Sequence, residues 1–233
     1  MRRFILVSLA LASLMAVPAQ AAVPRCPLMP DPRGDATAHP TGGGSTPADS
    51  QLVRPGDDIL SADVWADGKA VTMVMRLAGL PSRNETGAPE AEGFWWIVTL
   101  QRGDREIVLW MIERNGYWFP EGGWGSVVEA GDDETGAGAG SWHTVSGVTG
   151  RVDSRRAELR VSVPLAALAP HVDVSKGTSW GKVSAWATVL DGPPLLSPAP
   201  PAIRYESASG LGSTRDQAST SRKVVIGTPV CAS

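Results

Sequence analysis

The chain has 233 residues, 42% of them hydrophobic and 19% charged, and a formal net charge of −3 at neutral pH. A mildly acidic chain lacks the concentrated positive charge with which proteins hold nucleic acid or anionic lipid. We therefore expect neither as a partner.

The first 21 residues have the layout of a secretory signal peptide. Met1-Arg2-Arg3 is followed by an apolar run over residues 4–17 and by the small-residue end Ala19-Gln20-Ala21. This order predicts export with cleavage near Ala21, and no later segment is apolar over a length that would cross a bilayer. Cleavage removes two arginines and no acid, which takes the net charge from −3 to −5. We expect a secreted protein of one domain, without a membrane-spanning segment after cleavage.

Two cysteines, Cys26 and Cys231, lie near the two ends of the mature chain. In an oxidising compartment such a pair is expected to form a disulfide, which would join the termini. The alternative is two unpaired thiols. In the chain-entropy picture, closing so long a loop stabilises the fold by about 5 kcal/mol at most.

Alternating apolar and polar residues predict a succession of antiparallel strands, separated by turns such as Asp67-Gly68 and Asn115-Gly116. In chain order the predicted strands cover residues 58–65, 70–77, 94–101, 105–113, 117–119, 142–152, 157–163, 179–190 and 223–226. Helical periodicity is almost absent, apart from one turn at residues 165–168. We therefore expect an all-β antiparallel β-sandwich, an immunoglobulin-like jelly roll of about eight or more strands.

Three segments interrupt the strand pattern and are predicted to be loops: residues 42–55, 131–140 and 193–221. The predicted organisation is a signal peptide at 1–21, an N-terminal segment at 22–56, the sandwich at 57–192, and a Pro- and Ser-rich loop with a final strand at 193–233.

Aromatic residues are concentrated in the middle of the chain. Nine of the thirteen outside the signal peptide lie between Phe94 and Trp142. The two strands of the central hairpin are apolar on both faces, with Phe94 and Trp96 on one face and Trp95 and Trp110 on the other. Because an ordinary sandwich strand presents one polar face to water, we expect a loop, a helix or a ligand to cover the second apolar face.

Several short motifs occur in an order that resembles a known family. Near the start of the mature chain lies Asp31-Pro32-Arg33-Gly34-Asp35-Ala36, followed later by Asp58-Ile59, Val163-Pro164-Leu165 and Lys176-Gly177-Thr178. Over most of residues 28–227 this order resembles sandwich modules of secreted bacterial proteins in the DOMON and family-nine carbohydrate-binding-module superfamily. The resemblance implies an extracellular jelly roll that often binds sugar or another small ligand and sometimes calcium. Residues 131–140 and the chain after Pro193 depart from the pattern.

Asp31, Asp35 and Asp58 are the candidate calcium ligands. Turn carboxylates and backbone carbonyls can supply the about six to eight oxygens that calcium takes. The alternative is that these carboxylates cap turns by accepting hydrogen bonds from nearby backbone amides.

The tryptophans and their polar neighbours form a candidate ligand site. Tryptophan rings stack on the C–H faces of pyranose rings, while carboxylates, amides and guanidinium groups bind the hydroxyls. The candidate residues are Trp95, Trp110, Trp118, Trp124, Glu113, Arg114 and Glu121. The alternative for each tryptophan is packing in the core. Trp124, which lies between glycines, is predicted to be in an exposed loop.

The leading hypothesis is a secreted non-enzymatic β-sandwich that binds a carbohydrate or small ligand through the Trp-rich sheet and its loops. The competing hypothesis is a structural or protein-interaction module whose aromatic residues form the core, with no small-molecule ligand. A third hypothesis is a hydrolase with dispersed carboxylates. No catalytic residue is predicted, because the G-x-S-x-G match at residues 177–181 is followed by a strand where a nucleophile elbow needs a helix.

Overall fold

A computed structural model describes residues 28–34, 36, 55–81, 91–114, 117–126, 142–191 and 214–228. The predicted signal peptide, Cys26, Asp35 and Cys231 lie outside these residues. The strands are β1 (Met29–Pro30), β2 (Ile59–Ala66), β3 (Ala70–Leu77), β4 (Ala91–Arg102), β5 (Arg105–Arg114), β6 (Tyr117–Ser126), β7 (Trp142–Thr144), β8 (Thr149–Asp153), β9 (Glu158–Pro164), β10 (Ser179–Asp191), β11 (Thr214–Thr220) and β12 (Val224–Val225). A four-residue helix, α1 (Leu165–Leu168), follows β9.

The strands form two antiparallel sheets that pack face to face. The smaller sheet has the order β1-β2-β3-β9-β8, and the larger sheet has the order β11-β10-β4-β5-β6-β7. The last strand, β12, pairs with the start of β10, beyond the end of β11. The predicted all-β antiparallel sandwich is therefore confirmed. No helix within the described residues is long and apolar enough to span a bilayer.

The main core lies between the two sheets and is built from alternate residues of each strand. Val64, Met73 and Val161 come from the smaller sheet and are fully buried. Trp96 and Leu109 of the larger sheet are fully buried against the same core. This is the period-two pattern from which the central hairpin was predicted.

Three predictions about strands differ from the structure. The prediction of one strand over 142–152 is wrong: β7 and β8 are separated by a turn in which Gly147 has φ +78°, a left-handed conformation that favours glycine. β6 continues to Ser126, so Trp124 lies in a strand rather than in an exposed loop. β11 falls within the predicted loop at 193–221, because its mostly polar sequence gives little strand signal.

Both ends of the described chain lie beside β2. Met29 pairs with Ala62, and the Leu28 amide donates to the Asp63 carboxylate at 2.8 Å. At the other end Thr228 forms a bridge with Ala66. Leu28 and Thr228 thus lie beside Asp63 and Ala66 of β2. These two positions are three residues apart, which is about 10 Å in an extended chain.

The outermost strands of both sheets are short or polar. β1 and β12 have two residues each and β7 has three. Beyond β1, the edge of β2 accepts two single hydrogen bonds. The Asp31 amide donates to the Leu60 carbonyl at 3.1 Å, and the Gly227 amide donates to the Ala66 carbonyl at 2.9 Å. The longest outer strand, β11, has the sequence Thr-Arg-Asp-Gln-Ala-Ser-Thr.

β6 packs closely against β8 and β9 of the other sheet. A side chain at Gly122 would overlap the Val163 side chain, and one at Gly150 would overlap Pro120. We expect Gly122→Ala to lower the free energy of unfolding by about 1–3 kcal/mol, the usual cost of overpacking a core. Urea unfolding followed by circular dichroism measures this loss.

The matched control is Gly68→Ala, since a Cβ there meets no atom within 4 Å. Equal urea midpoints for the Gly122 and Gly68 variants would show that the sheets can separate at β6 without cost, contrary to the expectation.

Candidate functional site

The outer face of the smaller sheet is charged. Arg76 contacts Asp63 at 2.6 Å and Glu158 at 3.4 Å, and Arg160 contacts Glu158 at 3.6 Å. The Arg160 guanidinium also lies 5.9 Å from the centre of the half-buried Trp65 ring. Such a face is typical of an antiparallel sheet that has water on one side.

The outer face of the larger sheet is apolar instead. It has a second buried cluster made of Trp95, Ile97, Val108, Trp110 and Ile112, with half-buried Trp142 and Trp186 packed against it. The strand register places Tyr117 and Phe119 on the same face, opposite Arg114 and Ile112. Tyr117 is 67% exposed and Phe119 47% exposed, the two exposed large hydrophobic residues of the described chain. We call these nine residues the outer aromatic face.

The three central tryptophans of this face hold one another in place. Trp142 stacks on Trp110 with ring centres 6.0 Å apart, and Trp95 meets both rings edge-on, at 6.4 Å from Trp110 and 5.8 Å from Trp142. Trp142 belongs to β7 and Trp110 to β5, so their contact spans β6. The outward positions of β6 between them include Gly123 and Gly125, which have no side chain to separate the rings.

Two glutamates are hydrogen-bonded to these rings. The Trp110 indole donates to Glu121 at 3.2 Å, and the Trp142 indole donates to Glu106. Burial raises the pKa of both carboxyl groups, and the indole hydrogen bonds offset part of that rise. Among the described residues neither carboxyl has another hydrogen-bond or ion-pair partner, so each has one oxygen left for a ligand.

Trp118 and Trp124 lie on the opposite side of β6 from this face. Trp118 stacks on Trp96 with ring centres 5.5 Å apart, and both Trp118 and Trp124 pack against the main core. The Trp124 ring lies between His143 at 4.4 Å and His171 at 4.9 Å. These two tryptophans therefore do not share a surface with Trp95 and Trp110, because alternate residues of a strand face opposite ways.

The structure brings together three of the seven predicted ligand residues: Trp95, Trp110 and Glu121. Glu113 is buried opposite Phe94 and Trp118, on the core side of the sheet. Arg114 ends β5, and its side chain is outside the described part of the structure.

Sequence reasoning missed Trp142, Trp186, Tyr117 and Phe119 as members of the face, and Glu106 as a polar neighbour of it. The signal for Glu106 was present, since it alternates with Val108 and Trp110 on β5. Trp142 and Trp186 had no such signal, because they reach the face through the pairing of β7 with β6 and of β10 with β4.

The predicted calcium ligands are only partly described. Both Asp58 oxygens accept the Gly34 amide, at 3.1 and 2.9 Å, so this carboxylate caps the turn after β1. Asp35 lies outside the described residues. Within them, no group of three or more His, Cys, Asp or Glu side chains is placed to hold a metal ion. The calcium site stays a prediction.

The Lys176-Gly177-Thr178 motif forms a turn organised by Asp173. The Asp173 carboxylate accepts the Ser175 hydroxyl at 2.6 Å and the Thr178 hydroxyl at 3.1 Å, and it pairs with Arg102 at 2.7 Å. The hydrogen bonds from Ser175, then the Arg102 partner, hold the pKa of this carboxyl well below its usual range. The motif thus has a structural role at the entry to β10.

No protein-family model matches the chain, and no curated protein sequence matches it. The class of protein that the fold and the site define is an antiparallel β-sandwich with one charged outer face and one aromatic outer face. The resemblance to the DOMON and family-nine carbohydrate-binding-module superfamily stays a prediction.

Proposed function

We propose that this protein is an exported, non-enzymatic binding module that holds a carbohydrate on the outer aromatic face. The observation that carries the proposal is the pairing of Glu106 and Glu121 with the indoles of the tryptophan cluster. Each pair combines a flat ring with a polar group of fixed position. A pyranose ring needs both, because its C–H face stacks on an aromatic ring and its hydroxyls form hydrogen bonds.

The residues of the face divide into a buried layer and an accessible layer. Trp95 is 3% exposed and Trp110 is fully buried, so these rings support the site from beneath. Trp142 and Trp186 are half-buried, and Phe119 and Tyr117 are exposed. A sugar would therefore contact the accessible residues Trp142, Trp186, Phe119 and Tyr117. Glu106 and Glu121 would bind its hydroxyls.

One observation favours a second candidate function. The burial of Trp95 and Trp110 is what a purely structural cluster would also show. In that case the face would be a second core of a structural or protein-interaction module, with no small-molecule ligand.

The test is binding of a panel of neutral and charged oligosaccharides, screened on an array and quantified by titration calorimetry. We expect Trp142→Ala and Phe119→Ala each to weaken binding about tenfold, which is about 1.4 kcal/mol and within the range for a lost aromatic contact. Phe119 is 47% exposed, so its replacement leaves the core intact.

The matched control is Trp65→Ala, which removes a half-buried tryptophan from the outer face of the smaller sheet. Thermal unfolding confirms that each variant is folded. Absence of binding across the panel, together with tryptophan fluorescence that no quencher reaches, would overturn the proposal in favour of the structural function.

A further inference from the structure

Glu106 and Glu121 place two carboxyl groups against the tryptophans of the outer aromatic face. Among the described residues, two arginines lie over tryptophan rings of other surfaces: Arg105 lies 5.6 Å from Trp124 on the core side of β6, and Arg160 lies over Trp65 on the other sheet. The outer face of the smaller sheet pairs its acids with arginines. Within the described residues, the two glutamates of the aromatic face have indole partners and no cation.

This arrangement disfavours the ionised form of both carboxyl groups. Each has lost part of its hydration by burial, which raises its pKa, and a single indole hydrogen bond restores only part of the loss. A cation beside the carboxylate would restore the remainder through a charge-assisted hydrogen bond. The same cation would be attracted to the tryptophan rings, whose faces are electron-rich.

We propose that the ligand of this face is an amino sugar, in which the pyranose ring stacks on the accessible aromatic residues and the ammonium group pairs with Glu106 or Glu121. The inference rests on the proposed carbohydrate binding and narrows it to one substrate class. An ammonium on the sugar ring would pair with carboxylates that have no cation among the described residues, and the ring itself would stack on the exposed Tyr117 and Phe119.

The separation of the two glutamates predicts an oligosaccharide. Glu106 lies opposite Gly125, and Glu121 lies opposite Trp110. Four strand positions therefore separate the two glutamates along the sheet, about 13 Å between their backbone positions. A chain of amino sugars can place one ring beside each glutamate, so it should bind better than the single sugar.

The experiment compares a β-1,4-linked glucosamine hexamer with the same hexamer in its N-acetylated form, by titration calorimetry with the intact mature chain. The two share ring shape and hydroxyls, and they differ in the acetyl group that removes the charge of each nitrogen. We expect the amine form to bind at least about tenfold more tightly, as two ion pairs near a half-buried surface would give. Glu106→Gln and Glu121→Gln should each reduce that preference about threefold, and the double variant should abolish it.

Asp104→Asn is the matched control, because it removes one negative charge from a side chain that is 82% exposed at the β4–β5 turn. If it weakens amine binding as much as the glutamine variants do, the attraction is nonspecific and the amino-sugar assignment is wrong. Equal affinity for the two hexamers, unchanged by the glutamine variants, overturns the assignment while carbohydrate binding stands. If neither hexamer nor any oligosaccharide of the panel binds, both proposals fail.

Discussion

Replacing Trp96 with alanine is expected to lower the free energy of unfolding by about 3–5 kcal/mol, the range for removing a large buried aromatic side chain. Trp96 is fully buried in the main core, between Phe94 and Trp118, with ring centres 5.5 Å from each. Urea unfolding measures the loss, and Trp65→Ala on the outer face of the smaller sheet serves as the control. A loss no larger than that of the control would mean that the core closes over the cavity.

Trp96→Phe tests the contribution of the indole hydrogen bond separately from that of the aromatic ring. The indole donates to the Gly56 carbonyl at 2.8 Å, which fixes the chain just before it enters β2. Phenylalanine keeps an aromatic ring and leaves that buried carbonyl unpaired, so we expect a loss of about 1–3 kcal/mol. If the phenylalanine variant is as stable as the native protein, the hydrogen bond has no net effect on stability.

Reduction of the predicted Cys26–Cys231 disulfide is expected to lower the free energy of unfolding by up to about 5 kcal/mol, because the bridge would close residues 26–231 into one loop. The described ends of the chain favour this pairing. Leu28 and Thr228 lie beside positions of β2 that are three residues apart, and the cysteines follow at two and three residues beyond them.

Thermal unfolding with and without reductant measures this effect, and titration of thiols in the denatured, unreduced protein tests for the bridge itself. The double variant Cys26→Ser, Cys231→Ser should unfold at the temperature of the reduced protein and show no response to reductant. Two reactive thiols in the unreduced protein would contradict the pairing.

The hairpins were the predictable part of the fold. β2 and β3 alternate on either side of Asp67-Gly68, and β4 and β5 show apolar residues on both faces, so local sequence contained the information. β6 was predicted only as far as Phe119, because Pro120 and the glycines that follow have low intrinsic strand preference. Its pairing with β5 over ten positions overrides that preference.

The positions of Trp95 and Trp110 in the candidate site could be predicted from the sequence, and the contribution of Trp142 could not. Alternation places Trp95 on one face of β4 and Trp110 on the matching face of β5, and the structure has both in one cluster. The same alternation separates Trp118 and Trp124 from that cluster, once both are known to lie in β6. The contribution of Trp142 could not be predicted, because it depends on a strand pairing between distant segments and on Gly125 opposite it.

The short outer strands have a consequence for association between copies of this protein. A sheet grows by adding a strand to an open edge, and a two- or three-residue edge strand offers few backbone groups for such addition. β1, β12 and β7 are of this kind, while β11 presents a mostly polar sequence. Addition of a further strand is therefore disfavoured at β1, β7 and β12, because each offers few backbone groups for pairing.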